Sequence, residues 1–202
     1  VATPTTTVDP ATRARIVDVA DGLFYARGFQ SVGMDEIRTG AGVSLKKLYA
    51  AFPGKDQLVA AVLRGRHDYW EQGIEQAVAA ADTPRDRLLA MYDFLEQWFG
   101  DDTFRGCGFI NAFGELGATS PAVAEIAREH KESFQRSVAG LAAAVVPDVA
   151  AAGELAAQLA LLAEGAQTTA AIAGDTTPAR HARRAAATLI DVATNRAAAR
   201  AA

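Results

Sequence analysis

The chain has 202 residues, half of them hydrophobic, and a net charge of −4. That is enough for one large or two small domains with a real core. Alanine is abundant and runs of alternating β-branched residues are absent, which argues against a β protein and for an all-α one. Cys107 is the single cysteine, so an intrachain disulfide is excluded and a reducing compartment is expected.

The charge is unevenly spread. Residues 1–66 carry nine Lys/Arg against six Asp/Glu, a balance of +3, and residues 67–202 carry eleven against eighteen, a balance of −7. A basic head on an acidic body suits a nucleic-acid module joined to something that does not touch nucleic acid.

Residues 1–8 form a Thr/Pro tail that is expected to be loose. VATPTTTVDP lacks the charged-then-apolar pattern of a signal peptide. Asp9-Pro10 starts a helix, with a capping carboxylate and a first-turn proline. Ile16, Ala20, Leu23 and Phe24 form its apolar stripe, and it ends at Gly28. Phe29 then closes a three-helix core. Arg13 and Arg15 are candidates either for phosphate contact or for solvated surface.

The next stretch, 33–52, reads GMDEIRTGAGVSLKKLYAAF. Met34, Ile37 and Ala41 recur at helical spacing, as do Leu48 and Phe52. Between them, Gly42 can take the left-handed backbone that ends a helix, Val43 can plug the corner, and Ser44 can cap the next helix. Two short helices with a glycine-containing turn match the DNA-binding helix-turn-helix. The second, Leu45 to Phe52, turns Leu48 and Phe52 inward and leaves Lys46, Lys47, Tyr49 and Ala50 outside. Lysine neutralises phosphate and tyrosine donates hydrogen bonds.

The run from Gly28-Phe29 through Ala41-Gly42-Val43-Ser44, Leu48-Tyr49, Phe52, Lys55 and Leu58 resembles the DNA-binding domain of TetR-family transcriptional regulators. The resemblance covers about Pro10 to Leu63. It departs from the family pattern at Val32, where a phosphate-binding threonine is common, and at Gly33, where a Ser or Thr cap is common. Lys46 and Lys47 replace a frequent Gly-Thr pair, and Ala51 replaces a frequent histidine. The resemblance implies a DNA-binding domain over 1–54, a ligand-binding and dimerisation domain over 55–202, and nine helices. The candidate DNA-binding residues are Gly33, Ser44, Leu45, Lys46, Lys47, Tyr49 and Lys55. Lys55 opens the next helix after Pro53-Gly54, where free N–H groups favour an anion, and the resemblance assigns it a phosphate contact.

That helix is expected from Lys55 to about Ala81. Thr83-Pro84, Ser120-Pro121 and Thr177-Pro178 punctuate the rest, giving helices near 84–100, 104–117, 121–146, 149–174 and 178–200. The segment Val149 to Ala173 is apolar but Ala-rich and contains Glu154, Gln158 and Glu164, so it does not read as a membrane span. A soluble, cytoplasmic protein is expected.

Most large side chains of the body fall between 88 and 116. They read either as a helical core or as the wall of a small-molecule site, since polar residues accompany them. The resemblance implies a pocket here. Its candidate lining is Trp70, Met91, Phe94, Leu95, Trp98, Phe109, Asn111, Phe113, Phe134 and Gln167, with an apolar or aromatic effector. The segment Gly106-Cys107-Gly108-Phe109-Ile110-Asn111-Ala112 resembles a stretch found in one branch of the family. The helices 149–174 and 178–200 are rich in small residues, and the first carries a leucine stripe. In the family this pair forms a four-helix bundle with its copy, giving a homodimer that reads a pseudo-palindromic operator. Cys107 reads as a buried, inert thiol rather than a switch.

No H-E-x-x-H, E-x-x-H, G-x-S-x-G, P-loop or dinucleotide fingerprint occurs. No catalytic residue, metal or cofactor is assigned. The leading reading is a ligand-responsive DNA-binding repressor. The alternatives are a helix-turn-helix protein without small-molecule switching, and a helical carrier or enzyme with a vestigial head.

Overall fold

The computed structural model describes residues 8–201. Of the Thr/Pro tail expected at 1–8, residues 1–7 lie outside the described residues. The described residues form nine α-helices and no strand. These are α1 Pro10–Arg27, α2 Met34–Ala41, α3 Leu45–Ala51, α4 Lys55–Ala79, α5 Pro84–Phe99, α6 Gly108–Leu116, α7 Pro121–Ala143, α8 Val149–Ala173 and α9 Thr177–Ala201. The all-α reading is borne out.

Most ends follow their caps. The Asp9 carboxylate accepts from the Thr12 amide at 2.8 Å, and Pro10 fills the first turn of α1. Thr83 Oγ1 accepts from Asp86 N at 3.1 Å to start α5. Asp148 Oδ1 does the same for α8 from Ala151 N at 2.8 Å. Gly174 closes α8 in the left-handed region, with φ 73°.

Several ends differ from expectation by a residue or more, three of them with a visible cause. The helix expected from 104 begins at Gly108 instead. The Asp101 carboxylate accepts from the Thr103 amide at 2.7 Å and from its hydroxyl at 2.6 Å, holding a turn, and Gly106 has φ +86°. α7 stops at Ala143 rather than 146, because Val145 and Val146 both turn back onto the Ala142 carbonyl, at 3.0 and 2.9 Å, ahead of Pro147. At the start of α9, Thr177 is already helical. The capping acceptor is Asp175 Oδ1, which takes the Thr177 amide at 2.7 Å.

The chain divides into two compact units. One holds residues up to His67 together with Gly108–Arg128, and the other holds Asp68–Cys107 with Glu129 onward. The expected domain boundary at 54/55 falls inside the first unit, which keeps the buried Leu58, Val59, Val62 and Leu63 of α4. α6 also belongs to this unit. The Gln30 amide donates to Glu115 Oε2 at 2.8 Å, and the Gln30 side chain donates to the Glu115 carbonyl.

The second unit is built around Trp70. Its indole meets Phe94, Trp98 and Phe134 edge-on at 5.4, 5.3 and 5.8 Å, with His130 at 6.0 Å. Tyr92 is fully buried and its hydroxyl donates to the Leu159 carbonyl at 2.7 Å, so burial pushes the phenol well above its ordinary range. α8 is long and apolar enough to cross a membrane by length and composition. One of its faces, with Leu155, Leu159, Ala163 and Ala170, is buried in this core. Arg183 reaches from α9 to Asp93 on α5 through two hydrogen bonds of 2.6 and 3.1 Å.

Candidate nucleic-acid interface

The head assembles as its residue types require. α2 ends at Gly42, whose φ of 61° and ψ of 39° lie in the left-handed region. The Gly42 amide donates to the Thr39 carbonyl, and the Val43 amide donates back to Arg38 O at 3.2 Å. Val43 is buried at the corner. Ser44 Oγ accepts from Lys47 N at 3.2 Å and starts α3. Leu48 and Phe52 are fully buried and Ala51 nearly so. Phe52 leaves the helix in an extended conformation, so α3 ends one residue earlier than expected.

The outer face of α3 is then Leu45, Lys46, Tyr49 and Ala50, all exposed, with Lys47 half-buried beside them. Leu45 and Tyr49 expose nearly half their surface. Lysine, tyrosine and an apolar contact together can meet phosphate, base edge and thymine methyl. Gly33 precedes α2 in extended backbone and offers no side-chain acceptor.

Two of the expected contacts are engaged within the head. Lys47 Nζ lies 3.5 Å from Asp9 Oδ2. Asp9 sits far below the ordinary carboxylate value, at about 2, held there by hydrogen bonds from Thr12 and by the Lys47 charge. Lys55 opens α4, but its Nζ donates to the Gln30 carbonyl at 3.2 Å, and partial burial lowers its pKa against the pull of Glu115. Nothing in the spacing of the sequence announces Asp9 as the partner of Lys47, or Glu115 as the neighbour of Gln30. Each pair meets only through folding.

The expected effector residues are divided between the units. Trp70, Met91, Leu95, Phe134 and Gln167 are buried in the second unit, with Phe94 and Trp98 partly so. Phe109, Asn111 and Phe113 lie on α6 in the first, and Phe113 is exposed. A cleft of ≈ 670 Å³ in the second unit runs along Tyr69, Gln72, Gly73, Gln76, Phe94, Gln97 and Arg183. A Cβ at Gly73 would sit 2.4 Å from the Phe94 ring, so a larger residue there would displace that ring. Cys107 is buried, with Lys131 Nζ 3.8 Å from its sulfur. Among the described residues no group of His, Cys, Asp or Glu could hold a metal ion.

A short exposed helix set by a left-handed glycine turn, on an otherwise helical body, defines a helix-turn-helix regulator. Residues 16–62 match the bacterial regulatory proteins of the tetR family, and residues 84–186 match the tetracyclin repressor-like C-terminal domain. The second match alone covers half the chain, and the chain belongs to the TetR family. The family is one of regulators and not of enzymes, which ends the enzyme alternative.

The chain is 38% identical over 88 residues to the HTH-type transcriptional activator FasR of Mycolicibacterium smegmatis, covering 42% of this chain and 40% of that protein. It is 30% identical over 98 residues to the HTH-type transcriptional regulator BetI of Brucella anthropi, covering 48% and 50%. The chain thus spans half or less of the length of these curated relatives. The same fold occurs in a TetR-family transcriptional regulator from Streptomyces coelicolor, with a TM-score of 0.85 at 24% identity over 93% of this chain and 98% of that one. A TetR transcriptional regulator from Chloroflexus aurantiacus gives 0.79 at 24% identity, over 90% and 94%.

Proposed function

We propose that this chain is a cytoplasmic, homodimeric repressor that binds a pseudo-palindromic DNA operator through α3 and is released by a small molecule. The observation that carries the DNA reading is the outer face of α3, where Leu45, Lys46 and Tyr49 stand exposed on a helix anchored by Leu48. Lys47 on α3, with Ser44, Gly33 and Lys55 at the starts of α3, α2 and α4, completes the proposed contact set.

Dimerisation through α8 and α9 rests on apolar side chains left uncovered. Leu161 and Ile172 lie three turns apart on one face of α8 and are mostly exposed. A second copy would cover them, and two-fold symmetry would bring two recognition helices to successive major grooves, roughly 34–36 Å apart.

The proposed effector is apolar or aromatic and enters the second unit beside Trp70, Phe94 and Trp98. The cleft along Phe94 has a size suited to small molecules. Such a ligand must bind the DNA-incompetent state more tightly, and by linkage DNA must weaken ligand binding. The reading without small-molecule switching is favoured by the self-packed rings around Trp70. Relatives of both signs exist, since FasR is named an activator and KstR2 of Mycobacterium tuberculosis a repressor.

The test is binding to the DNA immediately upstream of the gene, against a shuffled duplex, across a salt series. A large preference for the upstream duplex, lost in Lys47→Ala or Tyr49→Ala, is expected. Equal binding to both, fading steeply with salt, would refute sequence reading at that DNA.

A further inference from the structure

Two arginines near the start of α1 have partners inside the head. Arg15 Nε donates to the carbonyl of Ala41, the last residue of α2, at 3.0 Å. Arg13 Nη1 donates to the carbonyl of Ala51, the last residue of α3. The Arg13 guanidinium carbon also lies over the Phe52 ring, 4.0 Å from its centroid.

Each contact fills a defined need. The last carbonyls of a helix have no partner within it, and they form its negative end. At the end of α2, the Gly42 and Val43 amides take the Arg38 and Thr39 carbonyls, and Arg15 takes Ala41. At the end of α3, the Phe52 amide takes Leu48, and Arg13 takes Ala51. A cation on a C-terminal carbonyl satisfies both the hydrogen bond and the dipole.

The helices are also too short to hold themselves. α2 has eight residues and α3 seven, well below the length at which a helix persists alone. Their direction therefore comes from what grips them. α1 has eighteen residues and is anchored by the buried Thr12, Ile16, Ala20 and Phe24. Arg13 and Arg15 tie the ends of the two shorter helices to that anchor.

We propose that Arg13 and Arg15 are positioning residues for sequence reading, acting on DNA through the orientation of α3 and not through phosphate. This rests on α3 being the reading helix, so the experiment separates the two claims. A misdirected α3 loses base contacts first, because they demand geometry, while the electrostatic attraction of the head survives.

The 202-residue chain is made as wild type, Arg13→Met, Arg15→Met and Arg13→Lys. Each is titrated against a duplex selected from a random pool by the wild type, and against its shuffled version, over a salt series. Either methionine variant should weaken the selected duplex about tenfold, as expected for one lost charge-assisted hydrogen bond. The shuffled duplex should change little, and the slope of log K against log salt should stay within a few tenths of wild type. Arg13→Lys should not rescue, since lysine keeps the charge but cannot stack on Phe52 while donating to Ala51.

Equal loss on both duplexes, a slope reduced by roughly 0.9 per arginine and rescue by lysine would instead establish phosphate contacts and overturn the proposal. A lower melting temperature with the selected-to-shuffled ratio unchanged would also overturn it, leaving only a stabilising role. Amide exchange needs no DNA. Unchanged protection of Leu48 and Phe52 in Arg13→Met would sink the positioning claim even if the wild type selected no duplex, an outcome that by itself would refute α3 as the reader.

Discussion

Replacing Gly33 by Ser should stabilise the chain, and the local geometry sets the size. Gly33 stands before α2 with φ −93° and ψ 158°, extended backbone open to any residue. No atom lies within 4 Å of a Cβ built there, so the new side chain meets open space. The first turn of α2 has no side-chain acceptor, whereas Ser44 supplies one to α3 by accepting from Lys47 N at 3.2 Å. A serine cap is better than glycine by a few tenths of a kcal/mol, about 0.3. Removing glycine from the unfolded chain adds about 0.4–1 kcal/mol where the native backbone accepts the new residue. Together these give about 0.7–1.3 kcal/mol.

Gly42→Ser is the control. It also meets open space, but at φ +61°. The left-handed backbone costs an L residue about 1–2 kcal/mol, more than the unfolded-state gain returns, so this change should destabilise by about 0.5–1 kcal/mol. Two Gly→Ser changes nine positions apart should therefore move the urea midpoint in opposite directions at constant slope. A loss of stability in Gly33→Ser, or shifts of the same sign in both, would refute the assignment of these stability roles to backbone angle and cap.

Asp9→Asn keeps a capping oxygen but removes the titration. The Asp9 carboxyl drops from 3.8 to about 2 on folding, so its contribution is complete above pH ~4 and is lost as the pH falls through about 2. Stability measured from pH 5 to 2 should fall less steeply in the variant, and identical acid limbs would remove Asp9 as a contributor. Leu161→Glu places a charge on the exposed face of α8, and sedimentation should show dimers for the wild type and monomers for the variant. A variant that stays dimeric would move the interface away from that face.

Much of this head could be read before folding because its signals are local. Gly42, Ser44 and Asp9-Pro10, like Thr83-Pro84 in the second unit, act on backbone within four residues of themselves, so their types and spacing carry the message. The inward turn of Leu48 and Phe52 follows from helical period in the same way. The late start of α6 was not legible, because the turn held by Asp101 and the left-handed Gly106 exist only in the folded backbone.

By itself, then, the sequence determined an all-α chain with a helix-turn-helix near its start, since period, caps and breakers are properties of neighbouring residues. Tertiary structure alone decided which carbonyls Arg13 and Arg15 grip, that Asp9 holds Lys47, and that Glu115 joins Gln30 across 85 positions. It also decided that Trp70 gathers rings from two other helices, α5 and α7. A long polar or aromatic side chain can reach many partners in an unfolded chain. Only the packing of the helices selects one, because the direction of each helix sets what lies within a few ångströms of its side chains.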